Sequence, residues 1–138
     1  MNPATAGYSG TPLPSKLGLK SGMKFIALNA PPDLDMLLAG APHLERLAHV
    51  APFECALAFV TTERALAALF AKLAPKLVDA GMIWIAWPKK ASGVATELTE
   101  DVVRRAGLAA GLVDVKVCAI DVTWSGLKFV RRLRDRRR

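Results

Sequence analysis

The sequence predicts an α/β fold of three layers, in which helices cover both faces of a mostly parallel sheet. Short apolar runs, bounded by glycine, proline or polar turn residues, alternate along the chain with segments of helical periodicity. Several of these runs are apolar at every position, which is typical of parallel strands buried between two helical layers. Near the C terminus, two runs joined by a short polar turn predict an antiparallel hairpin.

The length and composition of the chain favour a single domain. It has 138 residues, of which 52% are hydrophobic and 22% charged, and this apolar fraction excludes an intrinsically disordered chain. It contains no uncharged apolar stretch of about 18 residues, so we expect no membrane-spanning helix. We expect residues 1–21 to form an irregular arm with one turn near Pro14 to Leu17. Residues 22–133 are expected to form the α/β domain, and residues 134–138 a basic C-terminal tail.

The first half of the domain contains two predicted strands. Both Lys24–Leu28 and Glu54–Val60 are short apolar runs and are predicted to be buried. Between them, Asp33–Ala39 is predicted to form a short helix, which Gly40 can end in the left-handed conformation. The segment Leu44–Val50 is ambiguous, because its pattern fits both a helix and a weak strand.

An amphipathic helix is predicted to begin at Glu63. Its apolar residues recur at spacings of three and four; they are Leu66, Leu69, Phe70, Leu73 and Leu77. Pro75 is expected to kink or divide this helix, because proline lacks a backbone donor and clashes with the preceding turn. The helical region is expected to end at Gly81, and Met82–Trp87 to follow as a strand that is apolar on both faces.

The last part of the domain begins with a helix that Thr99 can cap and that Gly111 is expected to close. The alternating pattern of Val113–Asp121 predicts a strand. Residues Thr123 to Gly126 are expected to turn the chain, and Leu127–Leu133 to return as the second strand of the hairpin.

The order of these elements over residues 22–133 resembles the second half of the class I methyltransferase-like Rossmann fold. The strand Met82–Trp87, the helix after Thr99 and the closing pair of strands carry the resemblance. In that fold the last strand inserts antiparallel between two parallel strands. The resemblance also implies a glycine-rich turn after the first strand, where backbone amides meet S-adenosylmethionine, and an acidic residue after the second strand.

Three longer strings look like those of a small uncharacterised bacterial family of domains of unknown function. They are Ser9-Gly10-Thr11-Pro12-Leu13, Trp87-Pro88-Lys89-Lys90-Ala91-Ser92-Gly93 and Trp124-Ser125-Gly126-Leu127-Lys128-Phe129-Val130. These strings span nearly the whole chain. The resemblance implies no activity.

The turn after the first strand lacks the glycines of a methyltransferase. It reads Asn29-Ala30-Pro31-Pro32, and the two prolines fix the backbone and remove amide donors. The segment ending at Val50 runs into Ala51 and Pro52, and so offers no acidic residue for the ribose hydroxyls. We therefore expect no cofactor, with S-adenosylmethionine as the disfavoured alternative.

A ligand is expected outside the carboxyl ends of the parallel strands, as in other open α/β sheets. The candidate ligand-binding residues at these ends are Asn29, Thr61, Trp87, Lys89, Lys90 and Ser92. The two lysines and Ser92 occupy the loop before a helix N terminus, which suits an anionic ligand. Trp87 and Trp124 are expected to be partly exposed. The competing interpretation is that the lysines are solvated and that Thr61 only caps a helix.

Most of the net charge of +7 belongs to the C terminus. Seven of the 19 basic residues lie between Lys128 and Arg138, which contain one acidic residue, so the rest of the chain is almost neutral. The candidate nucleic-acid-binding residues are Arg134, Arg136, Arg137 and Arg138. The alternative is a solubilising tail without a partner.

No catalytic or metal-binding set is visible in the sequence. His43 and His49 are six residues apart, which does not suit two metal ligands on one helical face. Cys55 and Cys118 lie in apolar runs and are expected to be buried, reduced thiols, which favours a cytoplasmic protein. No motif pairs a nucleophile with a base.

These observations lead to three hypotheses. The first is a non-catalytic binding or accessory module with a methyltransferase-like fold. The second is a non-specific nucleic-acid-associated protein that uses its arginine-rich tail. The third is a divergent S-adenosylmethionine-dependent methyltransferase, completed by a partner chain. A homodimer is compatible with the short core, but no residue marks an interface, and the ligand stays open.

Overall fold

A computed structural model describes residues 11–136 as four α-helices and six β-strands. The helices are α1 (Leu13–Leu17), α2 (Leu34–Leu37), α3 (Glu63–Leu73) and α4 (Glu100–Ala109). The strands are β1 (Lys24–Leu28), β2 (Glu45–Arg46), β3 (Phe53–Phe59), β4 (Leu77–Pro88), β5 (Leu112–Ala119) and β6 (Trp124–Arg131). Within these residues, no helix combines the length and the apolar character needed to cross a membrane.

The six strands form one sheet in the order β2-β1-β3-β4-β6-β5. The first four strands in this order are parallel, whereas β6 is antiparallel to both of its neighbours, β4 and β5. The last strand thus lies between two strands that point in the same direction. The predicted α/β class, with a mostly parallel sheet and a C-terminal antiparallel pair, is confirmed.

Each face of the sheet has its own apolar cluster. On one face, α3 and α4 pack on the sheet, and the largest buried residues include Phe53, Phe70, Ile83 and Phe129. On the other face, α1 and α2 cover a cluster that includes Leu17, Phe25, Leu57, Phe59 and Trp84. Trp84 Nε1 donates a hydrogen bond of 3.0 Å to the Leu17 carbonyl oxygen. The end of the predicted N-terminal arm is therefore a helix that belongs to the core.

The connection from α3 to β4 differs from the sequence-based expectation. The helix does not continue past Pro75; it ends at Leu73, and a single 3-10 turn leads directly into the strand at Leu77. The strand is therefore longer than predicted, and Gly81 lies inside it rather than at the end of a helix. The physical reason is the missing backbone donor of Pro75, which stops the helical hydrogen bonds.

Other boundaries follow the predicted signals more closely. Thr99 caps α4 by accepting a hydrogen bond of 3.2 Å from the Val102 amide, and Gly111 adopts the left-handed conformation after the helix. The ambiguous segment contains the two-residue strand β2. The predicted turn from Thr123 to Gly126 is wrong, because Trp124 already belongs to β6, where it pairs with Pro88.

Candidate functional site

The carboxyl ends of β1 and β3 form a topological switch point in the sheet. The chain leaves β1 towards β2 on one side, and leaves β3 towards β4 on the other. Crevices that hold ligands open at such points in α/β sheets. Here a cleft of about 240 Å³ is lined by Asn29, Phe59, Val60, Thr61, Ala65 and Trp124. Two of the predicted ligand residues, Asn29 and Thr61, are thus brought into one cleft.

Aromatic side chains form one wall of this cleft. The rings of Phe59 and Trp124 meet edge to face, with 5.0 Å between their centroids. Trp124 is half-buried, so its ring is partly available to a ligand. Sequence reasoning expects Trp124 to be partly exposed and able to line a pocket or a partner surface, but does not count it among the ligand-binding residues. The signal that could have found it is the insertion of the last strand beside β4, which brings the first residue of β6 to this edge.

Asn29 joins the ends of β1 and β3. Its φ of 54° is left-handed, a conformation that asparagine tolerates better than most residues. Its Nδ2 donates a hydrogen bond of 3.3 Å to the Phe59 carbonyl oxygen. Its Oδ1 has no hydrogen-bond partner within residues 11–136. The exposed side chain therefore offers the cleft an acceptor.

A second, more open cleft adjoins the first and shares Thr61 with it. Its volume is about 430 Å³, and its lining is Thr61, Thr62, Ala95, Thr96 and Glu97. Thr96 Oγ1 donates a hydrogen bond of 2.6 Å to the Thr61 carbonyl oxygen, and Glu97 Oε1 accepts one of 2.8 Å from the Glu63 amide. The segment before α4 is thereby fastened to the start of α3 and forms the outer wall of the site.

The turn before Trp124 is held by a buried carboxylate that sequence reasoning missed. Asp121 is only 8% exposed. Its Oδ1 accepts hydrogen bonds from the backbone amides of Thr123 and Trp124, each of 2.8 Å. An aspartate that bonds the backbone two residues on is a recognised turn signal and could have identified this residue. Asp121 therefore positions the aromatic wall.

The remaining predicted ligand residues lie outside the lining of both clefts. Trp87 is 5% exposed and belongs to the core, so the expectation of partial exposure is wrong. The Lys89 amide donates a hydrogen bond of 2.7 Å to the Thr123 carbonyl oxygen, which ties this loop to the turn before Trp124. Ser92 Oγ donates to the Lys89 carbonyl oxygen, and Lys90 is exposed. A role for these side chains in binding an anion stays a prediction.

The second strand does not reach the edge where the cleft opens. Arg46, its last residue, is level with Phe25, near the start of β1. The Arg46 guanidinium forms an ion pair of 3.1 Å with Asp35. Glu45, the acidic residue of β2, is level with Lys24 at the start of β1, so β2 itself places no acidic side chain at this edge.

Arg134 and Arg136 are not among the residues that line these clefts. Arg134 is exposed, and Arg136 Nε donates a hydrogen bond of 3.2 Å to the Arg131 carbonyl oxygen. Arg137 and Arg138 lie outside the described residues. Nucleic-acid binding by this tail stays a prediction. Within residues 11–136, no group of three or more His, Cys, Asp or Glu side chains could hold a metal ion.

Comparison with known proteins identifies the fold. No family model and no curated protein matches the chain, so the resemblance to a bacterial family of unknown function stays a prediction. Solved structures do match. The chain has a class I methyltransferase-like Rossmann fold.

Three of the matching structures are methyltransferases. Magnesium protoporphyrin IX methyltransferase from Synechocystis PCC 6803, with bound S-adenosylmethionine, has a TM-score of 0.57 at 10% identity, over 87% of this chain and 74% of that one. Ribosomal protein L11 methylase from Lactobacillus delbrueckii subsp. bulgaricus has a TM-score of 0.55 at 10% identity, over 87% and 75%. The 1,6-didemethyltoxoflavin-N1-methyltransferase from Burkholderia thailandensis, with bound S-adenosylhomocysteine, has a TM-score of 0.56 at 13% identity, over 88% and 77%.

These structures correct the sequence-based expectation of no cofactor. That expectation is wrong, because the neighbours with this fold hold S-adenosylmethionine or S-adenosylhomocysteine. The expectation gave decisive weight to the missing glycines of one turn, whereas the fold as a whole is the feature that the chain shares with these cofactor-bound structures. At this level of identity they establish the fold alone.

Proposed function

We propose that this protein binds S-adenosylmethionine in the cleft between the carboxyl ends of β1 and β3 and is a divergent methyltransferase. The observation that carries the proposal is the position of this cleft. It opens at the switch point of a sheet whose antiparallel last strand matches the fold of the cofactor-bound neighbours.

The residues of the cleft fit the chemical groups of this cofactor. The aromatic wall of Phe59 and Trp124 suits an adenine ring or a sulfonium cation. The acceptor Oδ1 of Asn29 and the hydroxyl group of Thr61 suit an ammonium or a hydroxyl group. An apolar wall with a few polar groups at its rim is the usual character of a small-molecule site.

The chain departs from other methyltransferases at two points, which is why we describe it as divergent. Pro31 and Pro32 remove amide donors from the turn after β1, and β2 is too short to supply a ribose-binding carboxylate. We propose that the adjoining cleft, with Thr62 and Thr96, replaces these contacts. Lys89 and Lys90, on the loop after β4, are the proposed partners of an anionic group of the cofactor or the methyl acceptor.

When bound, S-adenosylmethionine supplies a methyl group on a positively charged sulfonium. The cleft between the carboxyl ends of β1 and β3 is lined only by uncharged residues. These residues therefore bind and orient the reactants and exclude water, and none of them carries a charged group that would accept or donate a proton. Asp121 contributes indirectly, because it holds the turn that carries Trp124.

Binding can be tested by calorimetric titration of the full chain with S-adenosylmethionine and S-adenosylhomocysteine. Ala65→Trp fills the cleft from the exposed first turn of α3, and Ala68→Trp adds the same side chain to the same helix outside the cleft. We expect saturable binding with a Kd below about 1 mM, which corresponds to about 4 kcal/mol. Ala65→Trp should abolish it and Ala68→Trp should retain it. Absence of binding to the folded wild-type chain would overturn the proposal.

Methyl transfer is tested separately, with S-adenosylmethionine that carries a radioactive methyl group. Small molecules, RNA and protein from a cell extract serve as three separate acceptor pools. A methyltransferase is supported if wild type and Ala68→Trp transfer label to one of these pools. Ala65→Trp should transfer none. If the cofactor binds and no pool is labelled, the chain is a cofactor-binding module and the enzymatic part of the proposal is wrong.

A further inference from the structure

Strand β4 contains a large bulge near its start. On the neighbouring strand, Phe53 pairs with Leu77 and Cys55 pairs with Met82. One residue of β3, Glu54, therefore faces the four residues Val78 to Gly81 of β4. Bulges of this kind bend a strand and occur often beside binding sites. Gly81 is required by the close packing, because a Cβ there would lie 2.9 Å from the Glu54 carbonyl oxygen.

A cavity of about 380 Å³ opens beside this bulge, on the face of the sheet that α1 covers. Its lining comes from the connection between α1 and β1 and from strands β3, β4 and β6; it consists of Gly18, Lys20, Met23, Glu54, Val78, Ala80, Gly81, Met82, Lys128 and Val130. The cavity shares no lining residue with the clefts at the carboxyl edge. Its volume falls within the range of about 300–1,000 Å³ that is usual for small-molecule sites.

The walls of this cavity are largely apolar. Met23, Val78, Met82 and Val130 supply hydrocarbon and thioether surface. Methionine side chains are flexible and adapt to irregular apolar ligands. The cavity is therefore suited to a hydrocarbon group rather than to a fully polar molecule.

The charged residues of the cavity leave an excess of positive charge. Lys20 and Lys128 provide two ammonium groups against the single carboxylate of Glu54. Glu54 is already engaged, because its Oε1 accepts a hydrogen bond of 2.7 Å from the Lys24 amide. Lys128 is half-buried on β6 and has no hydrogen bond or ion pair within residues 11–136. An ammonium group without a counter-ion at the wall of a cavity favours the binding of an anion.

The charge of Lys128 reaches into the protein interior. Burial raises the pKa of the Cys55 thiol far above its usual range, and the nearby Lys128 ammonium group opposes this rise. The Lys128 ammonium group thus lies near the buried Cys55 thiol, beside the cavity.

We propose that this cavity binds an amphipathic monoanion, a carboxylate with a hydrocarbon chain of medium length. The carboxylate lies between Lys20 and Lys128, and the hydrocarbon chain lies against Met23 and Met82. Glu54 disfavours a second negative charge, so the site selects a carboxylate over a phosphate dianion. The proposed ligand is a free molecule in solution, and the vesicle measurement below distinguishes it from a membrane lipid.

The test uses the full chain with ¹³C-labelled methionine methyl groups and octanoate as the probe. Met23 and Met82 report on the cavity, and Met36, which is 76% exposed, is an internal control. We expect saturable shifts of the Met23 and Met82 resonances, with Met36 unchanged. The neutral analogue octanol and the dianion octyl phosphate should each bind at least about tenfold more weakly, because one lacks the charge and the other meets Glu54.

Two variants decide whether the cavity and its charge are responsible. Lys128→Gln should weaken octanoate binding about tenfold, whereas Lys72→Gln, which removes an exposed lysine from α3, should not change it. Ala80→Trp changes an exposed lining residue and should block binding without disturbing the core. The proposal is wrong if Met36 shifts together with Met23 and Met82, if octanol binds as well as octanoate, or if Lys128→Gln and Ala80→Trp both bind like wild type. It is also wrong if the chain sediments with phosphatidylglycerol vesicles and does not bind octanoate.

Discussion

Gly107 of α4 lies against the ring of Phe129 of β6, so closely that a Cβ on Gly107 would be 2.0 Å from Phe129 Cε1. The ring cannot simply move aside. The same ring also meets Phe70 of α3 edge to face, with 5.1 Å between the centroids. The glycine that weakens α4 as an isolated helix is therefore the residue that allows α4 to approach the sheet.

Gly107→Ala should destabilise the protein, although alanine is the better helix former. The gain in helix propensity is about 1 kcal/mol, and overpacking of a well-filled core costs about 1–3 kcal/mol. We expect a lower free energy of unfolding in urea for Gly107→Ala. Gly107→Ala should destabilise the protein less when it is combined with Phe129→Leu, because the aromatic ring is then absent. A Gly107→Ala variant more stable than wild type would contradict this packing.

Arg131 fastens the end of β6 to the connection between α3 and β4. Its Nη2 donates a hydrogen bond of 2.8 Å to the Ala74 carbonyl oxygen, and its Nε donates one of 3.1 Å to that of Leu77. Arg131→Met should lower the free energy of unfolding by about 1.5–3 kcal/mol, because hydrogen bonds from a charged donor are lost. Arg131→Lys should be intermediate, since lysine lacks the planar fork. In urea titrations, Arg132→Met should have a much smaller effect, and equal effects of the two methionine variants would refute this role.

Asp121 should control the position of Trp124. Asp121→Ala leaves the amides of Thr123 and Trp124 without their acceptor and should cost about 1–3 kcal/mol of stability. Asp121→Asn retains a carbonyl oxygen in the same place and should cost less. Tryptophan fluorescence of the folded proteins provides the second readout. The emission of Asp121→Ala should shift to longer wavelength as Trp124 becomes exposed, whereas an unchanged spectrum would mean that the turn does not need the carboxylate.

The buried thiol of Cys55 should make stability depend on pH in the alkaline range. Burial raises the pKa of this thiol in the folded protein, whereas in the unfolded chain it ionises near its ordinary value of about 8.5. Above that pH the unfolded state binds fewer protons than the folded state, so the free energy of unfolding falls as pH rises. The limiting slope for one group is about 1.4 kcal/mol per pH unit.

The measurement is urea unfolding at pH 7 and pH 10 under reducing conditions. From pH 7 to pH 10, the free energy of unfolding of wild type should fall by about 2 kcal/mol more than that of Cys55→Ala, because the variant has no thiol at this position. Cys118→Ala is the matched control. Burial also raises the pKa of the half-buried Cys118 thiol, so its removal should reduce the pH dependence as well, but less. Equal pH dependence in wild type and Cys55→Ala would contradict the prediction.

Much of the fold could be predicted because its signals are local. The apolar runs at β1, β3 and the second half of β4 have no other explanation in a chain of this size, and Thr99 marks the start of α4 by its own chemistry. The start of β4 could not be predicted in this way. The bulge breaks the apolar pattern of a strand, because Val78, Ala80 and Gly81 line a cavity and Asp79 pairs with Arg131.

The candidate site was only partly predictable, for a different reason. Asn29 and Thr61 end neighbouring parallel strands, so the general rule for α/β sheets brings them together. Trp124 joins them only because β6 inserts beside β4, which depends on strand pairing between distant parts of the chain. The expectation that the chain binds no cofactor was wrong for a similar reason, since it was based on the sequence of one turn and not on the arrangement of the whole sheet.

The insertion of β6 also determines when the molecule can be completed during synthesis on the ribosome. Until residues 124–131 have left the exit tunnel, β4 exposes an unpaired edge, and β5 has no strand with which to pair. The nascent chain therefore keeps one edge of its most apolar strand open to other proteins until residues 124–131 emerge, and transiently unpaired edges of this kind favour aggregation.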